Sequence, residues 1–412
     1  MTRLLPVILA ALLVCSLPAV AVSSALAPAV GTGLDRSTGS QAAVDAAAID
    51  WLELSEGPAA SGTGYVGVDL GAALSEDSNR LEARYANHRF DARMEQAGSD
   101  AERRAIIREE ADRLLEAVAR LRERERTAYT AYYEGNSSER ELLATLAEVH
   151  ANAAVLEASV TTLEEQTADT PGVSLDSELE AMETETHTMQ GPVRERVAGM
   201  VHGEADPARV HVETGGEGVV LAMIDGDRFY REAHRMDRRD LDAEPQYSSL
   251  GQSEDRIAEL YPSIFPEARW SYSEVGYNTH RGTGTYSEGS LTVFLDTRTG
   301  DVYREFKMLR LDQLDTRVVE TNTTDGITTT VSGTVPGGPA KVTLADAETG
   351  AALSGEVTIN DRTVGTTDDG PVWFVAPRGS MTVTATVGGD EVEFTVDEET
   401  ASQGTVRAAE GS

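Results

Sequence analysis

The chain has 412 residues, a formal net charge of -35 and one cysteine, Cys15. Lysine occurs only at Lys307 and Lys341, and acidic residues are spread along the chain rather than gathered in a tail. This composition excludes a nucleic-acid partner, which needs a basic stripe against phosphate, and it excludes a disulfide framework. An acidic surface of this kind repels itself in dilute salt and is screened when the Debye length falls to about 3 Å in molar salt, which reads as a salt-in halophile.

Met1 to Ala27 carries Arg3, an apolar stretch from Leu4 to Val20, and the small-residue sites Ala19-Val20-Ala21 and Ala25-Leu26-Ala27. This is the pattern of a secretory signal peptide over residues 1–27. The low-polarity run continues to Val30, so retention as an N-terminal membrane anchor stays open beside cleavage. Cys15 follows Leu12-Leu13-Val14 rather than the Gly or Ala of a lipoprotein box. Residues 28–48 are small, polar and Ala-rich, a flexible leader. Asp50 to Leu54 alternates as a short strand. Gly57 to Gly71 is turn-rich and lacks the Gly-Lys-Ser/Thr of a phosphate loop, so it is expected to pack as a loop against the helices that follow. A helix is expected from Ser75 to Ala97, with a break at Gly98.

The stretch from Ile107 to Leu163 organises residues 49–170. Apolar positions recur at Ile107, Ala111, Leu114, Val118 and Leu121, are interrupted by Glu125, and resume at Ala128 and Tyr132. After Gly135-Asn136 they restart at Leu142, Leu146, Val149, Ala153, Leu156, Val160 and Leu163. Two heptad seams joined by a short polar turn predict an antiparallel helical hairpin. Ser99 with Glu102 and Ser138 with Glu141 are capping boxes at the two starts. Signal peptide, Trp/Leu strand, Gly-Tyr-Val-Gly-Val-Asp-Leu-Gly-Ala-Ala-Leu and charged hairpin, in that order, resemble an uncharacterised exported haloarchaeal protein family. The resemblance implies no activity and no catalytic residues.

Residues 171–315 read as a duplicated α+β domain. Ser177 with Glu180 caps a helix expected to bend at Gly191-Pro192 and to end near Gly203. Strands follow at Arg209–Glu213, Gly218–Ile224 and Arg228–His234. A helix at Ser253–Leu260 then precedes strands at Ala268–Tyr277, Leu291–Asp296 and Val302–Leu309. Phe229-Tyr230-Arg231-Glu232 matches Val302-Tyr303-Arg304-Glu305, so two copies of a helix-plus-antiparallel-meander unit are inferred, with Tyr and Glu on one strand face and Arg on the other. The second copy, with its Leu295-Asp296-Thr297-Arg298-Thr299-Gly300-Asp301-Val302 turn, resembles the PepSY-type module of exported peptidase propeptides. That resemblance implies a binding or restraining role.

Residues 316–412 turn rich in Thr, Val and Gly. Seven short strands are expected, from Thr328–Val335 to Glu391–Val396, with hairpin turns at Asn360-Asp361 and Gly388-Gly389: a C-terminal β-sandwich with a polar tail. Asp346-Ala347-Glu348-Thr349-Gly350, Gly355 to Ile359, Phe374 and Gly379 to Val383 resemble the carboxypeptidase regulatory-like fold, with Met381 where an aromatic is usual. This implies an accessory domain for surface display or partner contact.

No pair among the seven histidines has the spacing of a helical metal site, no Gly-x-Ser-x-Gly elbow occurs, and the acids are too evenly spread to single out a carboxylate pair. Catalytic, cofactor-binding and metal residues are therefore expected to be none, and no cofactor is expected. Asn136 and Asn322 head glycosylation sequons in expected surface turns, and Tyr129 and Tyr133, near the hairpin tip, are the candidate partner contacts. The chain reads as an α+β multidomain protein of a halophilic archaeon, exported to the cell surface or beyond, non-enzymatic, and structural, adhesive or partner-binding. Its partner would be another envelope or exported protein. The rival readings are a regulator or inhibitor of exported peptidases and a hydrolase whose residues are not apparent.

Overall fold

The computed structural model describes residues 51–54, 59–240, 243–276 and 278–397. The expected signal segment with Cys15, the expected leader and the expected polar tail after Asp397 lie outside the described residues. Six helices are followed and interleaved by antiparallel sheets.

A strand, β1 (Ala60–Val66), leads into α1 (Leu70–Gln96), whose N-cap Asp69 accepts from the amides of Gly71 and Ala72. Then come α2 (Asp100–Tyr133), capped by Ser99, and α3 (Glu139–Ala168), whose start carries the full Ser138/Glu141 capping box. These two helices run in opposite directions: Arg104, early in α2, reaches the Pro171 carbonyl beyond the end of α3, and Arg124, late in α2, pairs with Glu148 at 2.5 Å. Seam residues Ile107, Leu114, Val118, Leu142, Leu146, Val149 and Leu163 are buried. The Gly191-Pro192 dipeptide separates two helices rather than bending one, because the proline opens α5 (Pro192–His202) after α4 (Asp176–Thr188) has ended. Ser177 does not cap α4, which starts one residue earlier with Leu175 at its N-cap. Gly203, at φ 73°, closes α5 in the left-handed conformation.

The chain then builds β2 (Ala208–Thr214), β3 (Gly218–Asp225), β4 (Arg228–Arg235), α6 (Leu250–Leu260), β5 (Arg269–Glu274), β6 (Thr279–Thr285), β7 (Gly289–Asp296) and β8 (Val302–Arg310). With β1 they form one antiparallel sheet in the order β1-β2-β3-β4-β8-β7-β6-β5. One face, through Val210, Val212, Leu221 and Tyr230, packs on Leu142, Leu146, Val193 and Val197 of α3 and α5. The other, through Val220, Ala233, Leu291 and Val293, takes Leu52 and the α6 residues Ile257 and Leu260.

The region from Gly57 to Gly71 departs from expectation: it holds an edge strand, not a packed loop. Gly62 and Gly64 of β1 lie under α3, where a Cβ would come within 2.0 Å of Glu139 and 2.9 Å of Leu143, so glycine lets the strand pass beneath the helix. Trp51 to Leu54 is not a strand, since its backbone bonds go to side chains. The Leu52 amide donates to Glu305 at 2.8 Å, Arg231 donates to the Leu52 carbonyl at 2.7 Å, and Arg235 donates to that of Glu53 at 2.7 Å.

The C-terminal region contains eight strands: β9 (Arg317–Thr324), β10 (Ile327–Gly333), β11 (Pro339–Asp346), β12 (Glu356–Ile359), β13 (Arg362–Thr366), β14 (Val372–Val375), β15 (Met381–Val387) and β16 (Asp390–Val396). They form two four-stranded sheets, β14-β11-β10-β9 and β13-β12-β15-β16, around Val331, Val342, Val357, Phe374 and Val383. Trp373 and Val375 of β14 pack with Phe229 and Leu309 of the large sheet and with Trp51. Arg378 adds an ion pair to buried Glu213 at 2.8 Å, and Arg362 donates to the Thr63 carbonyl at 2.6 Å.

Candidate functional site

The structure gathers ionisable groups that are far apart in sequence. Glu125 and Tyr129 come from α2, Arg194 from α5, Glu232 and His234 from β4, and Arg304 from β8, all buried between the helix layer and the sheet. Arg194 is the hub. Its guanidinium reaches Glu125 at 2.6 Å, Glu232 at 2.8 Å, the Tyr129 hydroxyl at 2.6 Å and the Met189 carbonyl at 2.9 Å. Tyr129 in turn donates to Glu125, and Glu232 also accepts from the Val193 amide at 3.2 Å. Arg304 donates to the Gln190 carbonyl and stands 5.0 Å from the Phe306 ring centroid. Its Nε and Nη1 have no protein acceptor among the described residues.

Burial and neighbouring charges act in opposite directions on Glu125, Arg194 and His234. Burial works against ionisation of Glu125, but Arg194, His234 and Arg304 outweigh it and keep its carboxyl well below the usual carboxylate range. Burial lowers the pKa of Arg194, and Tyr129, Glu125 and Glu232 more than restore it, so the cation is retained. Burial moves His234 below its ordinary value despite Glu125 at 3.6 Å, leaving a neutral imidazole. Two arginines thus balance two glutamates. A cleft of about 440 Å³ is walled by Gln190, Gly191, His150, His187, Arg281 and Phe306 and by none of the six network residues, with Gln190, whose carbonyl accepts from Arg304, standing between.

The matched Tyr-Arg-Glu triplets exchange partners through the sheet. Arg231 and Glu305 pair at 2.8 Å on the face that carries α6, where Tyr261 also donates to Glu305 at 3.0 Å, while Glu232 and Arg304 belong to the network on the α3 and α5 face. In β4 Tyr230 and Glu232 share a face as expected. In β8 they do not: the β7 pairing skips Tyr303, Phe294 facing Arg304 and Leu295 facing Val302. This bulge turns Tyr303 towards His234, 6.4 Å between ring centroids.

Tyr129, expected as a partner contact, is 0% exposed and is consumed by the network; its position four residues after Glu125 places it on the buried side of α2. Tyr133 is 37% exposed. Asn136 lies exposed in the α2–α3 turn, bonded to Glu134 at 3.0 Å. Asn322 is not in a turn but in β9, the edge strand of its sheet, accepting from the Thr324 hydroxyl at 2.8 Å. The network residues missed in the sequence are Arg194, Glu232, His234 and Arg304. The one signal was Glu125, a charge inside an apolar seam.

A larger concavity, about 1170 Å³, runs between α1 and α2 over α3. Its floor is small and apolar, with Ala117, Ala128, Ala131 and Leu142, and its rims carry both charge signs, among them Arg120 and Glu82. Among the described residues no group of three or more His, Cys, Asp or Glu is arranged to hold a metal ion, and no helix is long and apolar enough to cross a membrane.

Comparison with known proteins adds family assignments. Residues 210–315 match the model described as "Family of unknown function (DUF7094)". Residues 318–394 match "Archaeal fibronectin-III type-like domain", in keeping with the two facing sheets, and not the carboxypeptidase regulatory-like fold expected for the end of the chain. No curated protein and no solved structure matches the chain. Residues 1–206, half of the chain, match "Domain of unknown function (DUF7096)", and the chain belongs to that family.

Proposed function

We propose that this is a non-enzymatic, exported protein of a halophilic archaeon that works at the cell surface or outside it as a structural or partner-binding element. The observation that supports it most is the Arg194 network. The acids and tyrosine that come together most closely are buried and bonded to Arg194 rather than turned towards a cleft, with two arginines set against two glutamates. The wide groove over α3 offers small side chains and mixed charge, which suits a protein segment better than a small molecule. The fibronectin-III-like domain and the N-terminal signal pattern support a place in the envelope.

The test is production of the full chain in a halophilic host, with fractionation of membrane, medium and cytoplasm, and assay against peptidase, esterase and glycosidase substrates. The protein is expected in membrane or medium without turnover. Turnover abolished by Glu125→Gln or another single carboxylate substitution would overturn the reading. Inhibition of a co-exported peptidase on mixing would favour the regulator suggested by the PepSY-like middle.

A further inference from the structure

Eight large hydrophobic side chains stand exposed among the described residues, and six of them fall between Tyr65 and Tyr85. Four lie on α1: Leu70 at 72% exposed, Leu74 at 69%, Leu81 at 69% and Tyr85 at 65%. The opposite side of α1, with Phe90, Met94 and Asn79 bonded to Glu148, already faces the helix layer. Among the described residues the outward stripe has no partner, and on so acidic a surface two apolar pairs on one helix face, set either side of Asp77 and Ser78, mark an interaction site.

Its spacing identifies the partner. The steps from Leu70 to Leu74, Leu81 and Tyr85 are four, seven and four residues, a row that reads the same in both directions. A surface that meets its own copy about a two-fold axis must be self-complementary, and this row is so when a second helix lies antiparallel to it. Leu74 then meets the partner's Leu81, Leu70 meets the partner's Tyr85, and the axis passes between Asp77 and Ser78. We infer that α1 is a homodimerisation helix, pairing antiparallel with α1 of a second copy of this chain. Tyr85 also lines the groove over α3, so it is Leu70, Leu74 and Leu81, which do not, that carry the inference apart from that groove.

Charge and area fit. Within one copy Arg80 pairs with Glu76 at 2.7 Å and with Asp77 at 3.3 Å, and its guanidinium sits beside the axis where the other copy's Asp77 would lie. The four side chains and the adjoining arginine stems offer on the order of 400 to 500 Å² per copy, the lower end of specific interfaces, so the dimer is weak and reversible. Two chains of charge -35 repel each other, and molar salt removes that repulsion. The dimer should therefore strengthen with KCl.

Sedimentation velocity of the full chain in about 3 M KCl, from about 1 to 100 µM, tests this. A monomer–dimer equilibrium is expected. Leu74→Glu with Leu81→Glu should weaken it by about 100-fold or more, and Asp77→Leu, which removes the like-charge pair at the axis, should tighten it about tenfold. Because all three positions are exposed in the monomer, far-UV circular dichroism should be unchanged. Orientation is read by cross-linking in a Cys15→Ser background. Ser78→Cys should join to its own copy, and Arg84→Cys should not, since antiparallel pairing separates the two positions by about 20 Å. A monomer at all concentrations, an equilibrium indifferent to Leu74→Glu/Leu81→Glu, or equal cross-linking at both cysteines would overturn the inference. So would a monomer that instead floats with anionic lipid vesicles through the same leucines.

Discussion

Replacing Arg194 by methionine is the sharpest perturbation the structure offers. The guanidinium makes two ion pairs, at 2.6 Å to Glu125 and 2.8 Å to Glu232, and two further hydrogen bonds, to Tyr129 and Met189. Methionine fills much of the volume and supplies no donor. Glu232 keeps only the Val193 amide, Glu125 keeps the Tyr129 hydroxyl and the weakly placed His234, and the buried set passes from neutral to one net negative charge. Breaking a buried pair costs about 3–5 kcal/mol because it strands a desolvated charge, and here one cation serves two carboxylates, so the upper end is expected. Against a total of roughly 5–15 kcal/mol, that loss is a large fraction of the fold's stability. Converting the set as a whole, with Glu125→Leu, Arg194→Met, Glu232→Leu and Arg304→Met together, should recover most of it, to within about 2 kcal/mol of the parent, since apolar replacement of a complete buried network is often neutral. Urea unfolding followed by circular dichroism at high KCl reads both variants. The cost of Arg194→Met should be nearly the same at low and high KCl, because a buried pair is little screened. A loss below about 1 kcal/mol, or one that vanishes in high salt, would show that the network is open to water.

Four further outcomes are expected. His150 and His234 have folded-state pKa values lowered by burial, so their contribution is complete above about 6.5 and is lost as pH falls below that value towards the folded pKa; stability should decline there by up to about 1.4 kcal/mol per pH unit for each proton taken up, and His234→Asn should flatten the decline. Glu125 and Glu213 have depressed pKa values, so their contribution is complete above about 4.3 and is lost only as pH falls below it, giving a second, more acidic loss on a urea-unfolding pH series. Glu305→Gln should weaken the strap on residues 51–54, seen as about tenfold or faster hydrogen exchange at the Leu52 amide, whose bond to Glu305 is 2.8 Å. Arg378→Ala leaves buried Glu213 with His211 alone and should cost about 1–3 kcal/mol, measured by urea unfolding.

Much of the fold was legible where local periodicity and tertiary burial agree. The seam from Ile107 to Leu163 is buried at nearly every apolar position because its heptads serve the same contact along the whole length of α2 and α3. Strands β2 to β4 and β7 to β8 could be read from apolar runs between turn residues. Elements whose partners are distant were not legible. β1 alternates glycine with polar residues because α3 crosses it, and β9, Arg317 to Thr324, exposes most of its side chains as an edge strand and so carries little apolar pattern. Leu52 has a strand-like neighbourhood yet is held by Arg231 and Glu305, both more than 170 residues away along the chain. The network was invisible for the same reason. Glu125 looked like a defect in a seam until Arg194, on another helix, gave it a partner, and nothing in the spacing of Arg194, Glu232 and Arg304 announces that they meet.

The central claim is that the reactive groups of this chain are sealed and structural. Diethyl pyrocarbonate labelling of the folded full chain at neutral pH, read histidine by histidine by mass spectrometry, tests it most directly. His88, exposed on α1, should be acylated readily, and His234, buried against Glu125 and Tyr129, should stay unmodified until the protein unfolds. Acylation of His234 at a rate comparable to that of His88 in the folded chain would contradict the account.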